Sequence, residues 1–258
     1  MSERPTIVIL HGQPGSSVDS VRLRRALPSS VCVLTPDRPG YGANPAAPSG
    51  FFGNARAVVS LLDDAEVASA TLVGHSWGGG VALAVAEQFA ERVDGLVLAA
   101  SVGPDCLNWV DRVLAMPYVG EVLVAPAFVL GGQLARRRLR RAVGVDAVDD
   151  DARRAAEASI LGAQRRPTWR SFLVEQRALY TELPSINASL RDVRAPTAVV
   201  TGTKDHFVPS ATARMLAHAI PGAQLVEIDG IGHLLPVRAP AALARVVLET
   251  MERARDLR

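Results

Sequence analysis

Short apolar runs rich in β-branched residues alternate with longer amphipathic segments along most of this 258-residue chain. This alternation predicts an α/β fold in which helices cover both faces of a parallel sheet. Because most of the runs are apolar at every position, the predicted strands are buried on both faces. The predicted strands are Thr6–Leu10, Val31–Thr35, Ala70–Val73, Leu96–Ala100, Thr197–Thr201 and Gln224–Ile228. The predicted helices are Val18–Ala26, Asn54–Glu66, Trp77–Ala90, Ala211–Ala219 and Ala239–Glu252.

One long segment between the fourth and fifth strands, from Gly103 to Leu190, contains no convincing strand. It consists of Ala-rich and Arg-rich helical stretches broken by proline and glycine, and it is far longer than an ordinary crossover. We therefore predict a core formed by residues 1–102 and 191–258. A helical cap, residues 103–190, is predicted to lie over the carboxyl edge of the sheet.

Charge and hydropathy exclude several classes of protein. The chain has 28 Lys and Arg against 26 Asp and Glu, so its formal net charge of +2 gives no reason to expect a nucleic-acid partner. The apolar fraction of 48% excludes a disordered chain. The first strand begins at Thr6, which leaves no room for a signal peptide, and Pro117, Glu121 and Pro126 break the longest apolar stretch. We expect a cytoplasmic protein with a small-molecule substrate and no stable membrane insertion.

The pentapeptide Gly74-His75-Ser76-Trp77-Gly78 carries the sharpest chemical signal. It has the pattern G-x-S-x-G and lies directly between a predicted strand and a predicted helix. Such a tight turn exposes the central serine at the helix N-terminus, where the helix dipole favours developing negative charge. A glycine-rich turn with an incidental serine is the alternative, but the strand–turn–helix setting favours Ser76 as a nucleophile.

A serine nucleophile needs a base and an acid that orients the base. Asp205 follows the fifth predicted strand and His233 follows the sixth, which puts both at the carboxyl edge of the sheet, as for Ser76. We predict that His233 is the base and Asp205 the acid, although a helix-capping aspartate and an ordinary loop histidine are alternatives. Asp105, after the fourth strand, is a second candidate acid for which a helix N-cap is a sufficient explanation.

The oxyanion formed by attack on a carbonyl needs two backbone donors. One is the amide of Trp77, and Gln13 in the loop His11-Gly12-Gln13-Pro14-Gly15 is placed to give the other. A generic Gly/Pro loop is the alternative interpretation of that segment. His11 and His75 flank tight turns and are predicted to make local hydrogen bonds.

Together, these motifs resemble those of the α/β-hydrolase superfamily, specifically its small, capped, single-domain members. HGQPG is similar to the oxyanion loop of the family, DRPGYG to its D-x-x-G-x-G turn and GHSWGG to its nucleophile elbow, while GTKDHFVP and GIGHLLP are similar to its acid and histidine loops. Position by position, the resemblance implies the triad Ser76, Asp205 and His233, the oxyanion donors Gln13 and Trp77, and no metal or organic cofactor.

The sequence departs from the family pattern in two ways, which change the expected number of strands and the expected chemistry. Only ten residues precede His11, too few for the two-stranded hairpin that usually leads into this loop. We therefore expect six strands, all parallel, in the spatial order second, first, third, fourth, fifth, sixth. The second strand is then an edge, for which pairing in a homodimer is one possible arrangement. The nucleophile is serine rather than the aspartate of related dehalogenases and epoxide hydrolases, which disfavours those chemistries.

The cap offers weaker signals. Its apolar stretches, Val113–Met116 and Val122–Leu130, either roof a hydrophobic pocket or pack the cap onto the core. The basic run Arg136–Arg141 is typical of a solvated face, although it could also contact anionic lipid or an acyl thioester of coenzyme A.

The sequence therefore predicts a serine hydrolase that cleaves an ester, thioester or related acyl bond of a small, partly apolar substrate through an acyl-serine intermediate. A carbon–carbon bond hydrolase, a lyase or a cyclase could use the same triad. A non-catalytic ligand receptor on the same fold is an alternative from a different class.

Overall fold

A computed structural model describes residues 4–128, 130 and 168–257 of the chain. Within these ranges, six strands form one sheet in the order β2-β1-β3-β4-β5-β6, and all neighbouring strands are parallel. This arrangement confirms the predicted all-parallel sheet and its strand order. The strands are β1 (Thr6–Leu10), β2 (Cys32–Leu34), β3 (Ala70–His75), β4 (Val93–Ala99), β5 (Thr197–Gly202) and β6 (Gln224–Ile228).

Helices connect the strands and cover the sheet. They are α1 (Val21–Ala26), α2 (Phe51–Asp64), α3 (Trp77–Gln88), α4 (Trp109–Ala115), α5 (Thr168–Thr181), α6 (Leu183–Ala188), α7 (Ser210–Ala219), α8 (Leu235–Arg238) and α9 (Pro240–Asp256). Residues 119–128 are also helical. Short 3-10 helices are formed by Ser17–Ser20, Ala90–Arg92 and Leu190–Asp192.

Successive side chains of each central strand point to opposite faces of the sheet. On β1, Val8 and Leu10 join the core cluster formed with α2, α3, α6 and α7, whereas Ile7 and Ile9 join the cluster formed with α1, α8 and α9. Both faces are thus covered by helices, which explains why the central strands are apolar at every position.

The two edges of the sheet are short or polar. The edge strand β2 has only three residues. At the other edge, Glu227 of β6 accepts from Arg214 of α7 at 2.7 Å. A short edge and a charged edge both discourage further strand pairing.

Several elements begin or end at residues other than those predicted. Strand β4 begins at Val93 rather than Leu96, and helix α2 begins at Phe51 rather than Asn54. In both cases a glycine that reads as a break lies inside the element. Gly95 of β4 has a reason to be there, because a Cβ at that position would lie only 3.2 Å from Thr250 Cγ2 of α9.

The predicted cap is helical in its described part, and no strand occurs in residues 103–128, 130 or 168–190. Phe128 packs against Phe172 of α5, with ring centroids 5.4 Å apart, while Val122 is 71% exposed. Leu183 and Ile186 of α6 join the core cluster on the α3 face. The boundaries of the cap stay a prediction.

The basic run at residues 136–141 lies outside the described residues. None of the helices within the described ranges is both long enough and apolar enough to cross a membrane.

Candidate active site

Ser76 lies at the junction of β3 and α3 with a φ of 55° and a ψ of −122°, in a region of backbone space that costs energy for any residue but glycine. The surrounding chain holds it there, since the Ser76 amide donates to the Ala99 carbonyl at 2.9 Å. The flanking glycines are required by close packing. A Cβ on Gly74 would lie 2.4 Å from the Gly78 carbonyl oxygen, and one on Gly78 would lie 2.4 Å from the Leu10 carbonyl oxygen.

The structure brings together the three residues predicted to form a triad. His233 Nε2 lies 2.9 Å from Ser76 Oγ, and His233 Nδ1 lies 2.9 Å from Asp205 Oδ2. Because an ionised carboxylate only accepts hydrogen bonds, His233 carries its proton on Nδ1 and Nε2 is free to accept from the serine hydroxyl. The resulting chain of hydrogen bonds can draw a proton away from Ser76.

Asp205 is held as a carboxylate by its neighbours. Burial raises the pKa of this carboxyl, but the hydrogen bond and charge of His233 outweigh that effect, so that the pKa falls below its ordinary value. The backbone amides of Phe207 and Val208 add to the lowering by donating to Asp205 Oδ1 at 2.9 and 3.0 Å.

Asp105, the second candidate acid, is exposed, and among the described contacts His233 pairs with Asp205. The prediction that Asp105 serves as a helix N-cap is wrong. Helix α4 is capped by Asn108, whose side chain accepts from the amides of Val110 and Asp111. The chain makes a turn at Asp105, and the helix begins later, at Trp109.

Two buried histidines, His11 and His75, support the site. They were predicted to make local hydrogen bonds, but some of their contacts are to distant parts of the chain. His75 Nε2 donates to the His233 carbonyl at 2.9 Å, across 158 residues of chain. Burial, followed by the nearby His233, lowers the pKa of His75 to about 4, so the ring is neutral at pH 7. His11 Nδ1 donates locally to the Gly12 carbonyl, but its Nε2 accepts from the distant Arg38 amide. Burial and then the charge of Arg38 lower the pKa of His11 well below its ordinary value.

The two predicted oxyanion donors lie beside Ser76. Trp77 is the first residue of α3, so its amide has no acceptor within the helix. The His11–Gly15 loop touches Ser76, because a Cβ on Gly12 would lie 3.0 Å from Ser76 Cβ. The side chain of Gln13 donates to the Phe172 carbonyl of α5 at 2.7 Å and so links this loop to α5.

A cavity of about 180 Å³ opens over Ser76 and His233. Its walls include Gln13 and Pro14 on one side and Leu234, Pro236 and Val237 on the other. The cavity is therefore partly apolar where the described residues border the serine. In the described part of the chain, no three His, Cys, Asp or Glu side chains are grouped so that they could hold a metal ion.

A buried ion pair, which was not predicted from the sequence, lies behind the oxyanion loop. Arg38 and Glu175 are 2% and 0% exposed and form a salt bridge, and the Tyr41 hydroxyl donates to Glu175 Oε2 at 2.8 Å. Burial raises the pKa of Glu175, while Arg38 and Tyr41 oppose the rise. Arg38 and Tyr41 belong to the DRPGYG motif, which could have identified them as candidate functional residues. Nothing in the sequence distinguishes Glu175 from the other acidic residues of the predicted cap.

Comparison with known proteins finds relatives over most of the chain. The family model for the alpha/beta hydrolase fold matches residues 5–240. The chain is 30% identical over 237 residues to pimeloyl-[acyl-carrier protein] methyl ester esterase of Aromatoleum aromaticum, covering 89% of this chain and 91% of that protein. It is 29% identical over 222 residues to 2-hydroxymuconate semialdehyde hydrolase of Pseudomonas putida, covering 83% and 75%.

Among solved structures, a thermophilic esterase from Thermogutta terrifontis superposes with a TM-score of 0.73. The superposition covers 97% of this chain and 90% of the esterase at 21% sequence identity, a likeness of fold. The family match spans the sheet and the segments that contain Ser76, Asp205 and His233. The chain therefore belongs to the α/β-hydrolase family.

Proposed function

We propose that this chain is a cofactor-independent serine hydrolase that cleaves an ester, thioester or related acyl bond of a small, partly apolar substrate. The observation that carries the proposal is the continuous hydrogen-bonded chain from Ser76 through His233 to Asp205. Its support from relatives is the 30% identity to a methyl ester esterase.

In the proposed reaction, Ser76 Oγ attacks the carbonyl carbon while His233 Nε2 takes the hydroxyl proton. Asp205 keeps the imidazole in the tautomer that can accept this proton and stabilises the imidazolium that forms. The tetrahedral oxyanion is held by the backbone amides of Gln13 and Trp77. Collapse of the intermediate expels the alcohol or thiol, which receives the proton from His233 and leaves an acyl group on Ser76.

The second half of the reaction repeats these roles with water. His233 deprotonates a water molecule that attacks the acyl carbonyl, and the acid is released with Ser76 restored. The partly apolar wall formed by Leu234, Pro236 and Val237 favours substrates with a small apolar group at the reacting carbonyl. The cap, residues 103–190, is proposed to complete the substrate pocket as a lid.

The nucleophile is tested by substitution and by labelling. Ser76→Ala should lower the turnover of acyl substrates by about a million-fold and leave the cooperative unfolding transition intact. A fluorophosphonate probe should label the wild-type protein once, at Ser76, and should not label Ser76→Ala. Near-normal turnover by folded Ser76→Ala would refute the proposed mechanism.

A second candidate function is hydrolysis of a carbon–carbon bond in a dicarbonyl compound, favoured by the 29% identity to 2-hydroxymuconate semialdehyde hydrolase. The two functions are separated by a substrate panel. We expect kcat/KM for short-chain esters and thioesters to exceed kcat/KM for ring-cleavage dicarbonyl compounds. The reverse order, still dependent on Ser76, would assign the chain to carbon–carbon bond hydrolysis.

A further inference from the structure

Arg38 and Glu175 form an ion pair that water does not reach. Arg38 is 2% exposed and Glu175 is 0% exposed. Two charged groups in such a place need several further hydrogen bonds to offset their lost hydration, and the pair has them. Arg38 Nη2 also lies 3.3 Å from Glu175 Oε2, and the Tyr41 hydroxyl donates to the same oxygen. Because the desolvation of a buried ion pair offsets much of the attraction between its charges, we expect this pair to have a role besides stabilising the fold.

Besides a long contact of 3.5 Å from Arg38 Nη1 to Asn54 Oδ1, the side chain of Arg38 donates to the loop that carries the proposed oxyanion donor Gln13. Arg38 Nη2 donates to the Gly12 carbonyl at 2.8 Å, and Arg38 Nε donates to the His11 carbonyl at 3.0 Å. His11 Nδ1 donates to the same Gly12 carbonyl at 2.9 Å. Two donors, one of them charged, therefore fix the direction of a single carbonyl group.

The Gly12 carbonyl and the Gln13 amide belong to the same peptide group. That group is planar and trans, so its N–H points away from its C=O. By donating a hydrogen bond to the Gly12 carbonyl oxygen, Arg38 therefore also fixes the direction of the Gln13 N–H, which points the opposite way. The positive charge polarises the peptide and makes its N–H a stronger donor.

The same ion pair contacts the second proposed donor, Trp77. The Arg38 guanidinium lies over the Trp77 ring, 4.4 Å from its centroid, and Trp77 Nε1 donates to the Glu175 backbone carbonyl at 3.2 Å. Phe51 stacks on the other side of the indole with a centroid distance of 4.1 Å. The residue that contributes the second amide is thereby fixed by the two members of the pair.

We propose that Arg38 and Glu175 are positioning residues that preorganise the oxyanion hole. Because Glu175 lies on helix α5, the geometry of the hole then depends on how α5 packs against the oxyanion loop. This inference rests on the proposed function, because it assigns a role to groups that surround the Gln13 and Trp77 amides. Preorganised donors need no reorientation as the oxyanion forms, which is the source of their catalytic effect. If either amide points in a different direction, kcat should therefore fall far more than the affinity for substrate.

The test compares Arg38→Lys and Glu175→Gln with Arg177→Gln as a matched control. Arg177 lies on the same helix and pairs with Glu121, and both side chains are partly exposed. The two test variants should lower kcat by about 100-fold while KM changes by less than about threefold. They should weaken binding of a trifluoromethyl ketone, which forms an oxyanion on Ser76, by about the same 100-fold. Binding of the matching secondary alcohol, which forms no oxyanion, should not change.

Two further measurements keep the test decisive. If either single variant fails to unfold cooperatively, the paired Arg38→Met and Glu175→Met substitution removes both charges without leaving one unpaired and should show the same kinetic loss. Independently of activity, the ¹⁵N–¹H signals of the Gln13 and Trp77 amides should move in Glu175→Gln and stay in place in Arg177→Gln.

The outcomes separate the two proposals. A wild-type protein that resists fluorophosphonate and turns over no acyl substrate would overturn the proposed function, and the amide signals would still report on the positioning role. Folded test variants with kcat within about threefold of wild type, or with unmoved Gln13 and Trp77 signals, would overturn the positioning role.

Discussion

At the scale of single residues, the site is a set of side chains whose protonation states are fixed by their surroundings. Asp205 is ionised because His233 and two backbone amides outweigh its burial. His75 is neutral because it is buried next to His233. His233 lies between the two, with Nδ1 committed to Asp205 and Nε2 facing Ser76. This division of roles leads to two predictions.

Asp205→Asn should be folded but nearly inactive. An amide in place of the carboxylate holds the imidazole in the wrong tautomer, so kcat should fall by about ten-thousand-fold. Asp105→Asn, the matched substitution on the neighbouring loop, should retain wild-type turnover because Asp105 is exposed and caps no helix. Steady-state kinetics on both purified variants checks the assignment. Loss of activity in Asp105→Asn with survival in Asp205→Asn would move the acid to Asp105.

His75 should make the fold sensitive to acid. Its pKa is about 4 in the folded chain against 6.5 for an ordinary histidine, so between these values the unfolded chain binds the extra proton. Stability contributed by the neutral ring is therefore complete above pH 6.5 and is lost as pH falls toward 4, by about 3 kcal/mol.

The substitution His75→Gln keeps a donor for the His233 carbonyl and removes the titration. Urea unfolding of this variant at several pH values between 7 and 4 should show a shallower loss of the free energy of unfolding than wild type. Equal slopes for the two proteins would contradict the role given to His75.

The residues of the proposed triad could be predicted from the sequence, whereas the ion pair behind the oxyanion loop could not. Ser76, Asp205 and His233 each follow a recognisable strand, and parallel strands bring their carboxyl ends to one edge. Glu175 lies 137 residues from Arg38 on a cap helix. An acidic residue on an amphipathic helix predicts exposure, and only the packing of α5 on the oxyanion loop reverses that expectation.

At the scale of elements, the sequence predicts most strands and helices but misplaces some of their ends. Gly53 and Gly95 read as breaks in the sequence, yet both lie inside regular elements. Helix α8 (Leu235–Arg238) was not predicted, because four residues containing a proline show no helical periodicity. Most of the remaining core helices were identified because each has an apolar face with helical spacing. Helix α3 is instead buried at every position from Trp77 to Ala86, and its place directly after the Ser76 turn identified it.

Helix α4 offers a test of how loosely the cap is held. Asn108 caps it, and Trp109 at its start is 76% exposed. Asn108→Ala should cost about 1 kcal/mol of local stability and speed amide exchange in residues 109–115 about fivefold. Asn108→Asp retains an acceptor and should leave the exchange rates at the wild-type level. Hydrogen exchange followed by mass spectrometry checks both variants, and equal rates in all three proteins would contradict the capping role.

The cap as a whole is predicted to be a lid, so its amides should exchange faster than those of the sheet. In wild-type protein, peptides from α4 and residues 119–128 should exchange well before peptides from β3 and β4. Uniform protection across the cap and the sheet would contradict a lid that opens to admit substrate.

At the scale of the whole molecule, one edge of a parallel sheet gathers groups from four distant parts of the chain. The Gly12 loop follows β1, Ser76 follows β3, Asp205 follows β5 and His233 follows β6. The all-parallel topology makes this possible, because every strand ends at the same edge. The fold therefore explains where the candidate site lies.

The central claim is that Ser76 carries the acyl group between the two halves of the reaction. The most direct measurement is mass spectrometry of the intact protein after rapid acid quenching during turnover of a short-chain ester. We expect wild-type protein to gain the mass of one acyl group, located at Ser76 by peptide analysis, and Ser76→Ala to gain none. Turnover of the ester with no acyl-protein at any quench time, or with the adduct on another residue, would contradict the proposed mechanism.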